Sequence, residues 1–88
     1  MPAEIVEDAL YAQQINSYRV NWERLDEAMM SLSPALLNSP QLFPLVKGTK
    51  LRRLKLMGFP GVPPLSIFFT YDDRQVILRA AEIIGLEE

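Results

Sequence analysis

Lys47, Lys50, Arg52, Arg53 and Lys55 place five positive charges in nine residues with no acid among them. On an extended strand Arg53 and Lys55, two positions apart, project from one face about 6.5–7 Å from each other. Cations at that spacing can hold phosphates, or stabilise charge developing in phosphoryl transfer without a histidine. The same comb would equally solvate an exposed sheet face and protect an edge strand, or pair with an acidic protein partner. Other chemistry is narrowly bounded. The chain has neither histidine nor cysteine, which removes disulfide frameworks, zinc sites of the usual ligands, cysteine nucleophiles and every His-dependent triad. Asp72-Asp73 reads as turn chemistry, since Asp bonds local backbone and tolerates turn conformations. No phosphate loop, dinucleotide fingerprint or nucleophile elbow occurs. No metal and no cofactor is expected.

The 88 residues are 49% hydrophobic and 23% charged, with a formal net charge of −2. At this length one core can form, so a single domain over residues 1–88 is expected. The modest charge hides a dipole: residues 1–46 carry two basic against six acidic side chains (net −4), and residues 47–88 carry seven against five (net +2). No segment approaches the ~20 apolar residues of a membrane span. Met1-Pro2-Ala3-Glu4 shows no basic region ahead of an apolar run, so no signal peptide and a cytoplasmic location are expected.

The elements that must carry the comb follow from periodicity. Trp22, Leu25, Met29 and Leu32 are spaced three, four and three apart, one stripe of a helix. Asn21 suits its N-cap and Glu23 its first turn, while Pro34 is expected to end or kink it near Leu32 or Ser33. Trp22, Met29 and Met30 read as core, and Glu23, Asp26 and Glu27 as a solvated face. Residues 3–17 read as an earlier helix, with Ile5-Val6 as an alternative short strand. Pro40, Pro44 and Gly48 mark a connector. Three strands then follow, over residues 50–57, 65–71 and 74–79, the first with Leu54 and Leu56 opposite Arg53 and Lys55. Pro60-Gly61 suits a type II turn, and residues 71–74 a hairpin turn. The expected fold is α+β: two N-terminal helices packed on a small antiparallel sheet, itself a C-terminal three-stranded meander. Phe59, at the tip of the Pro/Gly loop, is either an interface anchor or tucked back over the sheet edge.

The run 50–56, the Phe59-Pro60-Gly61 turn, the aromatic strand 65–71 closing on Asp72-Asp73, and Gln75-Val76-Ile77-Leu78 together resemble the C-terminal meander of RelE/ParE-type toxins. The resemblance spans residues 20–80. It implies a toxin–antitoxin module whose active members either cleave messenger RNA at the ribosome with basic sheet residues or poison DNA gyrase by binding it. Arg53 and Lys55 match the two alternating basic positions and are the catalytic candidates, as phosphate and transition-state ligands, with Arg79 and Lys50 assisting. Lys47, Lys50, Arg52, Arg79 and Phe59 are candidates for RNA or partner contact. Such domains usually begin with a β-strand. The family's arginine early in the next strand falls at Ser66, and its basic and aromatic residues after the last strand are absent. The resemblance therefore implies a binding protein with an incomplete nuclease site; an mRNA endonuclease and a non-toxic protein-interaction domain are the alternatives. A cognate antitoxin or other small protein is the implied partner, with Phe59, Val62 and Leu86 as exposed apolar contacts.

Overall fold

A computed structural model describes residues 2–85 of the chain. The fold is α+β, with element order β1 (Glu4–Glu7), α1 (Ala9–Ser17), α2 (Trp22–Asn38), a short 3-10 turn (Pro40–Leu42), β2 (Arg52–Leu56), β3 (Leu65–Tyr71) and β4 (Gln75–Ile83). The strands form one sheet in the order β1-β4-β3-β2. β2, β3 and β4 make the expected antiparallel meander, but β1 adds a fourth strand parallel to β4. The sheet is therefore mixed rather than wholly antiparallel.

Helix 3–17 is corrected by the same finding. Glu4–Glu7 are drawn onto the edge of β4, and α1 begins only where Asp8 caps it, its carboxylate accepting from the Leu10 amide. Beyond Glu7, α1 takes over the edge that β1 leaves. Its Gln14 side chain accepts from the Ala81 amide at 2.7 Å, and the Tyr18 hydroxyl donates to the Ala81 carbonyl at 2.8 Å. These two bonds pair backbone groups that a longer β1 would have taken, and they let β4 run on to Ile83.

Pro34 does not end α2, which continues to Asn38. Proline offers no amide to the Met30 carbonyl, yet that carbonyl is not stranded: the Ser33 hydroxyl donates to it at 2.9 Å. At the other end the Asn21 side chain accepts from the Arg24 amide, as expected of the cap. Both helices pack on one face of the sheet. Tyr11, Ile15, Leu25 and Leu36 meet Leu54, Leu56, Leu65, Ile67, Phe69, Val76, Leu78 and Ala81 in a single buried cluster. Two glycines shape the loop between β2 and β3. Gly61 takes φ +89° at the Pro60-Gly61 turn, where Phe59 and Val62 exchange backbone bonds. Gly58 lies so close to Pro64 that an added Cβ would fall 2.7 Å from its ring and 2.9 Å from its nitrogen.

Candidate functional site

Two cationic clefts replace the single expected comb. Along β2, Leu54 and Leu56 pair with Ile67 and Leu65 on the core side, whereas Arg53 and Lys55 stand opposite Phe68 and Ser66 on the outer side. This alternation is as expected. Arg53 and Lys55 line one cleft of about 420 Å³ with Phe43, Pro44 and Leu54. Lys50, Arg52 and Arg79 line another, of about 410 Å³, with Leu45, Thr49, Thr70 and Tyr71. Lys47 lies exposed in the adjoining loop. That loop folds back on β2: Leu45 bridges Arg52, the Val46 amide donates to the Leu51 carbonyl, and the Arg53 amide donates to the Pro44 carbonyl. The connector thus covers the first half of the β2 edge.

Each of the three cleft arginines is tied to the fold by at least one hydrogen bond. Arg53 Nε donates to Ser66 Oγ at 2.9 Å, and Ser66 is itself fully buried. Arg52 Nη1 donates to the Phe43 and Gln41 carbonyls at 2.8 and 3.1 Å, and its guanidinium lies 5.8 Å from the centre of the Tyr71 ring. Arg79 occupies a β-bulge. Phe68 pairs with Ala80 and Phe69 with Leu78, so one extra residue of β4 has no opposite number. A bulge of this kind re-aims a side chain. From there Arg79 Nε donates to Thr70 Oγ1 at 3.0 Å and Nη1 to Asp8 at 3.1 Å.

The Arg79 hydrogen bond, then the Leu10 amide, hold the Asp8 carboxyl below its ordinary range, and a carboxylate so stabilised is a weak base. Asp72 is held low as well, by the Arg74 and Gln75 amides that it caps. This confirms the turn reading of Asp72-Asp73. No cluster of three potential metal ligands exists among the described residues. The arrangement can hold anions.

The apolar contact candidates divide. Phe59 is half-buried against the core. Val62 is 3% exposed and is a core residue, not an exposed contact: the turn at Gly61 directs it inward. Leu86 lies outside the described residues. Met30, read as core, is 76% exposed because it falls beside rather than on the buried stripe of α2.

A second cluster had little sequence signal, because its members are distant in the chain. Between β1 and α2 a groove of about 380 Å³ is lined by Glu7, Asp26, Met29, Met30 and Ser33, with Ile5 and Leu78. Burial, then the Asp26 charge, push the Glu7 carboxyl up. A raised acid is harder to ionise in the native state than in the unfolded chain. Its ionised form therefore weakens the fold as pH rises through the raised value, and it contributes nothing below its ordinary value of 4.5, where both states are protonated. Glu7→Gln is expected to raise Tm at pH 7, with the gain closing as the solution is acidified below that value. Thermal melts across the pH series check this.

A scan against protein-family models finds no match, and a search of curated proteins finds no relative.

Proposed function

We propose that this chain is a divergent RelE/ParE-type toxin-family domain of a toxin–antitoxin module that acts by binding a macromolecule, its nuclease site being incomplete. One observation carries the reading. The position where the family's next arginine is expected is Ser66, and Ser66 holds Arg53 through a hydrogen bond. A residue expected to supply a second cation instead restrains the first. Two further features support the reading. β1 supplies the initial strand that such domains usually have, ahead of two helices and a meander. Lys50, Arg52 and Arg79 lie in a different cleft from Arg53 and Lys55, so the cations do not converge on one phosphate. The binding surface is the cationic side of the sheet, and its target is a ribosome, a gyrase or another large anionic assembly.

Inducible expression in a bacterial host tests the reading, with growth, messenger RNA integrity and DNA-break response followed in parallel. The expected result is growth arrest without messenger RNA cleavage, relieved by co-expressing a small protein from the adjoining reading frame. Cleavage that disappears in Arg53→Ala/Lys55→Ala, with the variant still folded, would establish the nuclease instead. Unimpaired growth with no partner in the adjoining frame would also defeat the proposal.

A further inference from the structure

β2 lies at one edge of the sheet, and its pairing leaves a defined row of backbone groups open. The connector fills the neighbouring lane only as far as Pro44, where the Val46 amide donates to the Leu51 carbonyl and the Arg53 amide to the Pro44 carbonyl. The lane ends there because proline has no amide to give back to the Arg53 carbonyl, and the residues before Phe43 form the 3-10 turn. In an antiparallel ladder both backbone groups of a residue point to the same side, and the side alternates along the strand. Arg53 points away from β3, so Lys55 does too, as does the Met57 amide that follows the β3-facing Leu56 carbonyl. The Arg53 carbonyl, both backbone groups of Lys55 and the Met57 amide make no hydrogen bond to a described residue. Lys55 is exposed and Met57 is 84% exposed. Two clefts flank Lys55 along this open stretch. One, of about 420 Å³, has Phe43, Pro44 and Leu54; the other, of about 510 Å³, has Met57, Pro64 and Ile84.

We infer that this edge accepts an extended peptide segment of a partner protein as a fifth strand, with an acidic side chain directly across from Lys55 and an apolar side chain on either side of it. The open backbone groups supply the ladder bonds, and the side chains supply the selection. A residue opposite Lys55 projects from the same face, which also carries Arg53, so charge complementarity asks for a carboxylate there. Its two neighbours stand opposite Leu54 and Leu56 and reach the flanking clefts. A second copy of this chain is the poorer occupant. Two-fold pairing of β2 with β2 about Lys55 sets lysine against lysine, and like charges directly opposite are destabilising. The lysine that deters pairing between copies is thus the one that selects an acidic strand. A nucleic acid would meet the charge of Lys55 but has no peptide backbone to complete the row. The inference stands on the β2 edge alone and does not depend on the toxin-family reading.

The test uses the full chain, ¹⁵N-labelled, titrated with the blocked peptide acetyl-Thr-Val-Glu-Val-Thr-amide. Three altered peptides accompany it: one with lysine for glutamate, one with the glutamate N-methylated, and one with the following valine N-methylated. The glutamate amide is the donor to the Lys55 carbonyl, whereas the valine amide points away from β2. Perturbed amides of Leu54, Lys55, Leu56 and Met57 are expected, with slowed exchange at Lys55 and Met57. The lysine peptide should bind about fivefold more weakly and the N-methylglutamate peptide about tenfold more weakly, while the N-methylvaline peptide matches the parent. Lys55→Glu should reverse the preference between the glutamate and lysine peptides. If that variant fails to fold, the comparison of the peptides on the unmodified chain still decides. Undiminished affinity of the N-methylglutamate or the lysine peptide would overturn the inference. So would perturbations confined to β1 or to the cleft of Arg79, concentration-dependent shifts without peptide that reveal self-association, or no perturbation at millimolar peptide.

Discussion

Phe69→Ala is expected to lower stability by about 3–5 kcal/mol, the usual cost of removing a fully buried phenylalanine. Phe69 is completely buried in β3, one of the two inner strands of the sheet, and meets Phe43 edge-on with ring centroids 5.5 Å apart. Two losses therefore combine: a cavity opens in the core, and the connector loses the ring against which it rests. A domain of this size has roughly 4–13 kcal/mol in total. The substitution should accordingly lower Tm by at least about 12 °C and leave much of the chain unfolded at 37 °C. Phe69→Leu keeps most of the volume and should cost less than about 1.5 kcal/mol. Chemical denaturation of the three proteins measures both differences.

Arg52→Ala is expected to destabilise by about 1.5–3 kcal/mol, the range for hydrogen bonds made by a charged group. This follows from its position. Arg52 faces a cleft, but its Nη1 ties down the Phe43 and Gln41 carbonyls, and through Phe43 it braces the ring that packs on Phe69. Arg52→Lys should recover only part of the loss, since an ammonium cannot reproduce the planar fork of a guanidinium. A side chain that served only as a surface contact would change stability by no more than about 0.5 kcal/mol. Because Arg52 and Phe69 act on the same aromatic contact, the double variant should be non-additive by about 0.5 kcal/mol or more. Denaturant titrations of the double-mutant cycle give that coupling.

Much of the frame could be read from local signals. The bounds of β3 follow from its run of aromatic and β-branched residues, the α2 cap from Asn21, and the β3–β4 turn from Asp72. Each of these depends on neighbours within a few residues. What escaped depends on residues far apart. Glu4–Glu7 is so short and charged that Ile5-Val6 reads as a strand only as an alternative to helix, and the edge of β4 decides it. β4 outlasts the expected end at Arg79 because residues 80–83 keep pairing with β3, while Gln14 and Tyr18, more than sixty residues earlier, satisfy the other side of Ala81. Pro34 reads as a stop unless the Ser33 hydroxyl is known to serve the Met30 carbonyl.

The site was legible to the same degree. That Arg53 and Lys55 share a face follows from a two-residue period and is what the sheet shows. The same period already puts Arg52 on the opposite face, but the cleft that it shares with Lys50 and Arg79 does not follow from spacing. It arises from the fold-back of residues 44–46 onto β2 and from the bulge at Arg79. The link between Arg53 and Ser66 is likewise a cross-strand contact, its donor and acceptor thirteen positions apart in the chain. Composition excludes histidine and cysteine chemistry, but only the packing shows that Arg52, Arg53 and Arg79 each spend part of their donor set within the fold.

The claim that this chain binds rather than cuts is tested most directly by adding purified protein to actively translating ribosomes and mapping messenger RNA 5′ ends. The account predicts no new ends, with the unmodified chain and Arg53→Ala/Lys55→Ala giving the same map. New ends within codons at the ribosomal A site, produced by the unmodified chain and absent with the double variant, would contradict it.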